Sequence, residues 1–72
     1  MSIHWGPDEL DRLERAITEG LRINLMRRGT DFSVTPRSLH TEGAIEILTA
    51  THTTTGEDLK FRLDEVEDWD IL

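Results

Sequence analysis

The sequence predicts a mainly β protein of the α+β class, in which one N-terminal helix precedes a small five-stranded antiparallel barrel. Near the N-terminus, apolar residues recur at steps of three and four, as on one face of a helix. After Gly20 the apolar period changes to two, which is typical of half-buried strands. Turn signals then follow at hairpin-length intervals. The 72 residues fit a single domain, with the helix at about residues 6–20 and the barrel at about 21–72.

The predicted helix has an apolar stripe and a signal at each end. Leu10, Leu13 and Ile17 form the stripe that would face the core. Pro7 suits the first helical position, and Gly20 suits the left-handed residue that ends a helix.

Charged residues of the same segment predict local contacts. Glu9 stands three residues after the expected N-cap and would reach back to the cap N–H. Asp8 and Arg12, and likewise Asp11 and Arg15, are four residues apart in the favourable orientation for ion pairs.

Five strands are predicted from the alternation of apolar and polar residues, with turns at residues 28–29 and 54–57. Pro36 is expected to end the second strand or to place it on an edge, and residues 40–43 are expected to form a polar loop. A closed barrel of the Sm-like type would protect the strand edges of so small a domain. The alternative is an open sheet of four or five strands with the helix on one face. The strands are expected at residues 21–26, 31–35, 45–51, 59–63 and 66–71.

The charge balance favours a basic partner over a nucleic acid. The formal net charge is −7, from 15 acids and 8 bases. This balance opposes general binding to phosphate backbones and favours attraction to a basic surface. Lys60 is the single lysine beside seven arginines. This composition fits either adaptation to concentrated salt or a GC-rich genome.

Several classes of site are not predicted. There is no cysteine for disulfides or thiolate metal sites, and His4, His40 and His52 have no helical ligand spacing among them. No serine has a nucleophile-elbow context, and no glycine-rich phosphate loop is present. We therefore expect no enzyme, no metal and no cofactor. The absence of a signal segment and of an apolar span predicts a cytoplasmic protein that does not enter the membrane.

The first candidate surface is acidic. Asp8, Glu9, Asp11 and Glu14 form a dense negative region on the first turns of the helix. Such a region would complement a basic groove on a protein partner. Ordinary solvation together with compensation of the helix dipole is the alternative interpretation.

The second candidate surface is basic and would bind nucleic acid. It consists of Arg27, Arg28, Lys60 and Arg62. Lys60 and Arg62 are two residues apart and project from one face of their strand, where they could meet Arg22 or Arg27 from a neighbouring strand. Few aromatic residues are available on such a surface for stacking on bases.

The order of motifs resembles that of a known family. The motifs are Asp-Arg-Leu-Glu-Arg-Ala at residues 11–16, the alternating strand 21–25, the turn Gly29, Ile-Glu-Ile-Leu at 45–48 and Arg-Leu-Asp-Glu-Val at 62–66. In this spacing they resemble the Rho-binding antiterminator (Rof-like) family, small acidic inhibitors of the transcription terminator Rho. The chain departs from the family pattern at Pro7, Leu10 and Glu65, where the family has cysteine, tyrosine and lysine.

The resemblance implies a fold and a partner. The family places an N-terminal helix on an Sm-like barrel, binds the RNA-loading domain of Rho and prevents RNA capture. Carried over to this chain, Asp8, Glu9, Asp11 and Glu14 would face Rho.

A weaker resemblance points to the WYL domain, a small barrel of regulators that sense nucleotides or nucleic acids. It covers residues 16–20, 36–39 and 61–64, with Glu-Ile-Leu at 46–48 where that domain has Trp-Tyr-Leu. It supports the nucleic-acid alternative. Either a monomer or a homodimer is compatible with a core of this size.

Overall fold

The computed structural model describes residues 5–72, which form one α-helix and five β-strands. The predicted order of a helix followed by five strands is confirmed. A short 3-10 turn, Leu63–Glu65, connects the last two strands. The elements are α1 (Pro7–Glu19), β1 (Ile23–Arg27), β2 (Thr30–Glu42), β3 (Ile45–His52), β4 (Asp58–Arg62) and β5 (Val66–Ile71).

Helix α1 ends in a left-handed glycine cap, as predicted. Gly20 has φ of 65°, a conformation that glycine adopts without the steric cost of a Cβ. Its N–H donates to the carbonyl of Ile17 at 3.3 Å, and the N–H of Leu21 donates to the carbonyl of Ala16 at 2.9 Å. These two bonds form a Schellman motif, which satisfies carbonyls at the end of the helix.

All five strands lie in one antiparallel sheet of order β4-β3-β2-β1-β5. Strand β5 therefore pairs with β1, at the opposite edge from β4. Within residues 5–72 no strand pairing joins β4 to β5, so the hydrogen bonding does not close around the sheet. The predicted α+β, mainly β class is confirmed, whereas closure into an Sm-like barrel is not.

Strand β2 corrects two predictions. It runs for 13 residues, so it continues past Pro36, which was expected to end it or to place it on an edge, and it includes residues 40–42 of the segment expected to be a polar loop. Val34 is the last β2 residue that pairs with β1. Pro36 lies beyond it, so no residue of β1 needs a hydrogen bond from the N–H that proline lacks. On the β3 side the register shifts between Pro36 and Ser38, a bulge that accommodates the proline. The hydrogen-bonded strand then continues to Glu42.

Two tight hairpins hold the register of the first three strands. Arg28 and Gly29 connect β1 to β2 with φ of 51° and 75°, the positive values that a two-residue type I′ turn requires. This turn was predicted. Gly43, with φ of 64°, and Ala44 connect β2 to β3.

The buried apolar side chains form one cluster to which the helix and every strand contribute. Phe32 and Phe61 meet edge to face with ring centroids 5.2 Å apart, which joins β2 to β4 across the core. The half-buried Leu10 and Ile17 pack against the cluster from α1. Its buried members are Leu13, Ala16, Ile23, Leu25, Val34, Leu48, Ala50, Phe61, Leu63, Val66 and Trp69.

Candidate protein-binding surface

Three of the predicted acids are exposed on α1 and have no local partner. Asp8, Asp11 and Glu14 point away from the side of the helix that buries Leu13 and Ala16. No hydrogen bond or ion pair within residues 5–72 involves their side chains. We call these three residues the acidic helix face. Their charges are available to a partner because no basic side chain within the described chain neutralises them at close range.

The other acids of the described chain are mostly engaged. Apart from the acidic helix face, Glu57 in the turn between β3 and β4 is the one acid in residues 5–72 whose carboxylate takes part in no hydrogen bond or ion pair. Within residues 5–72, the carboxylates that take part in no hydrogen bond or ion pair therefore lie mostly on α1.

The two helix arginines do not form the predicted ion pairs. Arg12 lies 3.6 Å from Glu9 and 3.4 Å from Asp70 of β5. Arg15 contacts Glu19 at 3.0 Å. The predicted Asp8–Arg12 and Asp11–Arg15 pairs are therefore wrong, because both arginines form ion pairs with other carboxylates. As a result, Asp8 and Asp11 have no ion pair with any residue of 5–72.

Glu9 has a different environment from the acidic helix face. Its Oε2 accepts a hydrogen bond of 2.8 Å from Nε1 of Trp69, so the predicted bond to the cap N–H is replaced by a contact with the sheet. Trp69 also lies under the guanidinium of Arg12, 4.9 Å from its ring centroid, and stacks on Trp5 at 5.7 Å. The Nε1 of Trp5 donates to the carbonyl of Leu63 at 2.8 Å. We call Trp5, Glu9, Arg12 and Trp69 the indole cluster.

Strands β2 and β5 carry further acids on the outer face of the sheet, and the sequence did not predict that they meet there. On the outer face of the sheet, Met26 of β1 is flanked by Asp31 of β2 and Asp68 of β5. Asp70 continues along β5 and reaches Arg12 of the helix. Alternation with buried residues already indicated that these aspartates face solvent. The missing information was the pairing of β5 with β1, which brings them together.

The predicted basic surface is divided among separate contacts. Arg28 contacts Glu65 at 2.7 Å. Arg62 makes two bonds to the carboxylate of Asp64, at 2.8 Å and 3.1 Å. The hydrogen bond to Asp64 raises the pKa of the Arg62 guanidinium, and the same bond holds the pKa of the Asp64 carboxyl below its ordinary value.

Arg27 and Lys60 do not share a face. The guanidinium of Arg27 lies 5.2 Å from the ring centroid of Phe32 and 4.9 Å from that of Phe61. Phe61 points into the core, and its strand neighbours Lys60 and Arg62 therefore point to the outer face. Lys60 is exposed and makes no ion pair within residues 5–72. The structure thus does not bring these bases together into one surface.

The two histidines of the described residues, His40 and His52, lie in β2 and β3. His40 contacts Glu42 at 2.9 Å, and residues 5–72 contain no group of three or more His, Cys, Asp or Glu side chains arranged around a metal position. His4 lies outside the described residues. No helix in residues 5–72 has the length and apolar character needed to cross a membrane. Comparison of the chain with protein-family models, curated proteins and solved structures gives no match.

Proposed function

We propose that this chain is a small non-enzymatic regulatory protein that binds a basic protein surface through the acidic helix face. Following the family resemblance, we propose that the partner is the transcription terminator Rho or a Rho-like protein, whose RNA loading would be blocked. The observation that carries the proposal is that Asp8, Asp11 and Glu14 have no hydrogen-bond or ion-pair partner within residues 5–72.

Electrostatic complementarity supports this mechanism. A surface that captures RNA is basic because it must neutralise phosphates. A helix with three free carboxylates would be attracted to such a surface and would exclude RNA by occupying it. Because α1 is packed on the sheet through Leu13 and Ala16, its acids would be presented without a large ordering cost.

We further propose that the sheet is curled into a barrel of the Sm-like type, with a seam between β4 and β5 that has no hydrogen bonds. The side chains of Phe61 from β4 and of Val66 and Trp69 from β5 share one buried cluster, which supports this curvature. Nuclear Overhauser contacts between β4 and β5 side chains would test the curvature. Their absence would favour an open sheet.

The nucleic-acid alternative has less support. Two of its four bases, Arg28 and Arg62, are paired with acids, and Arg27 covers aromatic rings on the other side of β4 from Lys60. An RNA or nucleotide ligand would have to break these contacts or rely on Lys60. The balance of contacts therefore favours a protein partner.

The test is charge reversal on α1 with a matched control. The variant Asp11→Lys/Glu14→Lys and its two single changes are compared with Glu57→Lys, which changes the charge as much as each single variant and reverses an acid in the turn between β3 and β4. Binding to the isolated RNA-loading domain of Rho is measured by isothermal titration calorimetry at low salt, with circular dichroism as the check of folding.

We expect the helix variant to lose binding and Glu57→Lys to retain it. Equal binding by both variants would remove the acidic helix face from the mechanism. Binding of single-stranded RNA by the wild-type protein, weakened by Lys60→Ala and by added salt, would favour the nucleic-acid alternative.

A further inference from the structure

Besides the apolar contacts of Leu10 and Leu13, the N-terminal half of α1 contacts the sheet through the aromatic side chain of Trp69. Trp69 is 7 % exposed and belongs to the core, but its indole contacts three groups from residues 5–12. Trp5 stacks on it, Arg12 lies over its ring, and Glu9 accepts its N–H. Together with the buried Leu13 and Ala16, these three contacts fix the direction in which the acidic helix face points.

Glu9 lies on the side of the helix that faces the sheet. It precedes Leu13 by four residues and Ala16 by seven, so the helical period places all three on one side. Asp8 and Asp11 lie on the outward side. The position of Glu9 thus differs from that of the acids with which the sequence groups it.

The charge of Glu9 is already engaged within the protein. The same oxygen that accepts the Trp69 N–H lies 3.6 Å from the Arg12 guanidinium. A partner cation that drew this carboxylate away from the sheet would leave the part-buried indole N–H of Trp69 without an acceptor. An unsatisfied donor of this kind is costly, which opposes such a contact.

We infer that Glu9 is a positioning residue for partner binding: it acts through Trp69 by fixing α1 on the sheet, and it does not contact the partner. The inference builds on the proposed function, since it assigns a role within the same surface. Partner contact then belongs to Asp8, Asp11 and Glu14.

The chain provides a direct readout of this contact. It has two tryptophans and no tyrosine, and both tryptophans belong to the indole cluster. Their rings are stacked with an interplanar angle of 21°, so coupling between them is expected to give an exciton signal in circular dichroism. That signal reports on the cluster with or without a partner.

The test compares Glu9→Ala, Glu9→Gln and Asp11→Asn in the full chain. Glutamine retains an oxygen that can accept the Trp69 N–H but removes the charge, whereas alanine removes both. We expect Glu9→Ala to lose the exciton signal and to weaken binding to the RNA-loading domain. Glu9→Gln should retain both the exciton signal and the binding. Asp11→Asn should weaken binding and leave the exciton signal unchanged.

Two results would overturn the inference. If Glu9→Gln weakens binding as much as Asp11→Asn while the exciton signal persists, then Glu9 contacts the partner through its charge. If Glu9→Ala leaves the signal unchanged, then Glu9 does not hold the cluster. The second comparison needs no partner. If the proposed function is wrong, the wild-type protein will not bind the RNA-loading domain. The exciton signal of Glu9→Ala would still show whether Glu9 holds the indole cluster.

Discussion

Truncating Leu13 to alanine should remove most of the stability of this protein. The side chain of Leu13 is fully inaccessible and lies at the centre of the contact between α1 and the sheet. A buried Leu→Ala change costs about 2–5 kcal/mol, including the cavity that it leaves. A domain of this size has a total stability of about 3–5 kcal/mol. With a urea m-value of about 1 kcal/mol/M, the unfolding midpoint should fall by at least about 2 M.

Urea unfolding followed by tryptophan fluorescence provides the assay, because the indole cluster lies between α1 and the sheet. Leu72→Ala is the matched control, since it removes the same atoms from a residue that is 70 % exposed. Its midpoint should change by about 0.5 M or less. If Leu13→Ala shifted the midpoint no further than Leu72→Ala does, the helix would not be packed as described.

Three further outcomes are expected. Gly20→Ala should destabilise the protein by about 1 kcal/mol in urea unfolding because φ is +65° there, and no loss would argue against the left-handed cap. Arg62→Ala should raise the pKa of the Asp64 carboxyl toward its ordinary value, as followed by carboxyl NMR, because the hydrogen bond from Arg62 holds that pKa down. Since the pKa is depressed in the folded state, the pairing stabilises the fold above the pKa of the unfolded chain, and this contribution is lost as pH falls through the folded pKa; an unchanged titration would refute the pairing. Added NaCl should raise the urea midpoint, and less so in Asp11→Asn, because screening relieves repulsion among helix acids; equal salt dependence would contradict this.

The helix and the hairpin turns were predictable because their signals are local. Pro7 and Gly20 mark the ends of α1, and the pair Arg28-Gly29 specifies its turn through backbone conformation alone. Strand β2 was not predictable to the same degree. A proline interrupts a strand when the neighbouring strand needs a hydrogen bond from the N–H that proline lacks. Whether β1 needs such a bond at Pro36 depends on where β1 stops pairing with β2. That information is in the tertiary structure.

The candidate surface was predictable in composition but not in the roles of its members. Spacing along a helix suggested that Arg12 would pair with Asp8, because four-residue pairs are the nearest option within one helix. The sheet offered a better position for the arginine, over Trp69 and beside Asp70. The same tryptophan removed Glu9 from the group of free acids. These contacts join residues about 60 positions apart, which no local pattern indicates.

The pairing of β5 with β1 has a consequence during synthesis. A ribosome-bound chain that ends at residue 62 contains α1 and the first four strands, yet it lacks Val66 and Trp69 of the core. In that state β1 has an open edge, and Leu25, whose partner in β5 is Trp69, is uncovered. The β1–β5 pairing is the most sequence-distant one in the sheet, so this edge of β1 can be covered only after residues 66–71 have emerged.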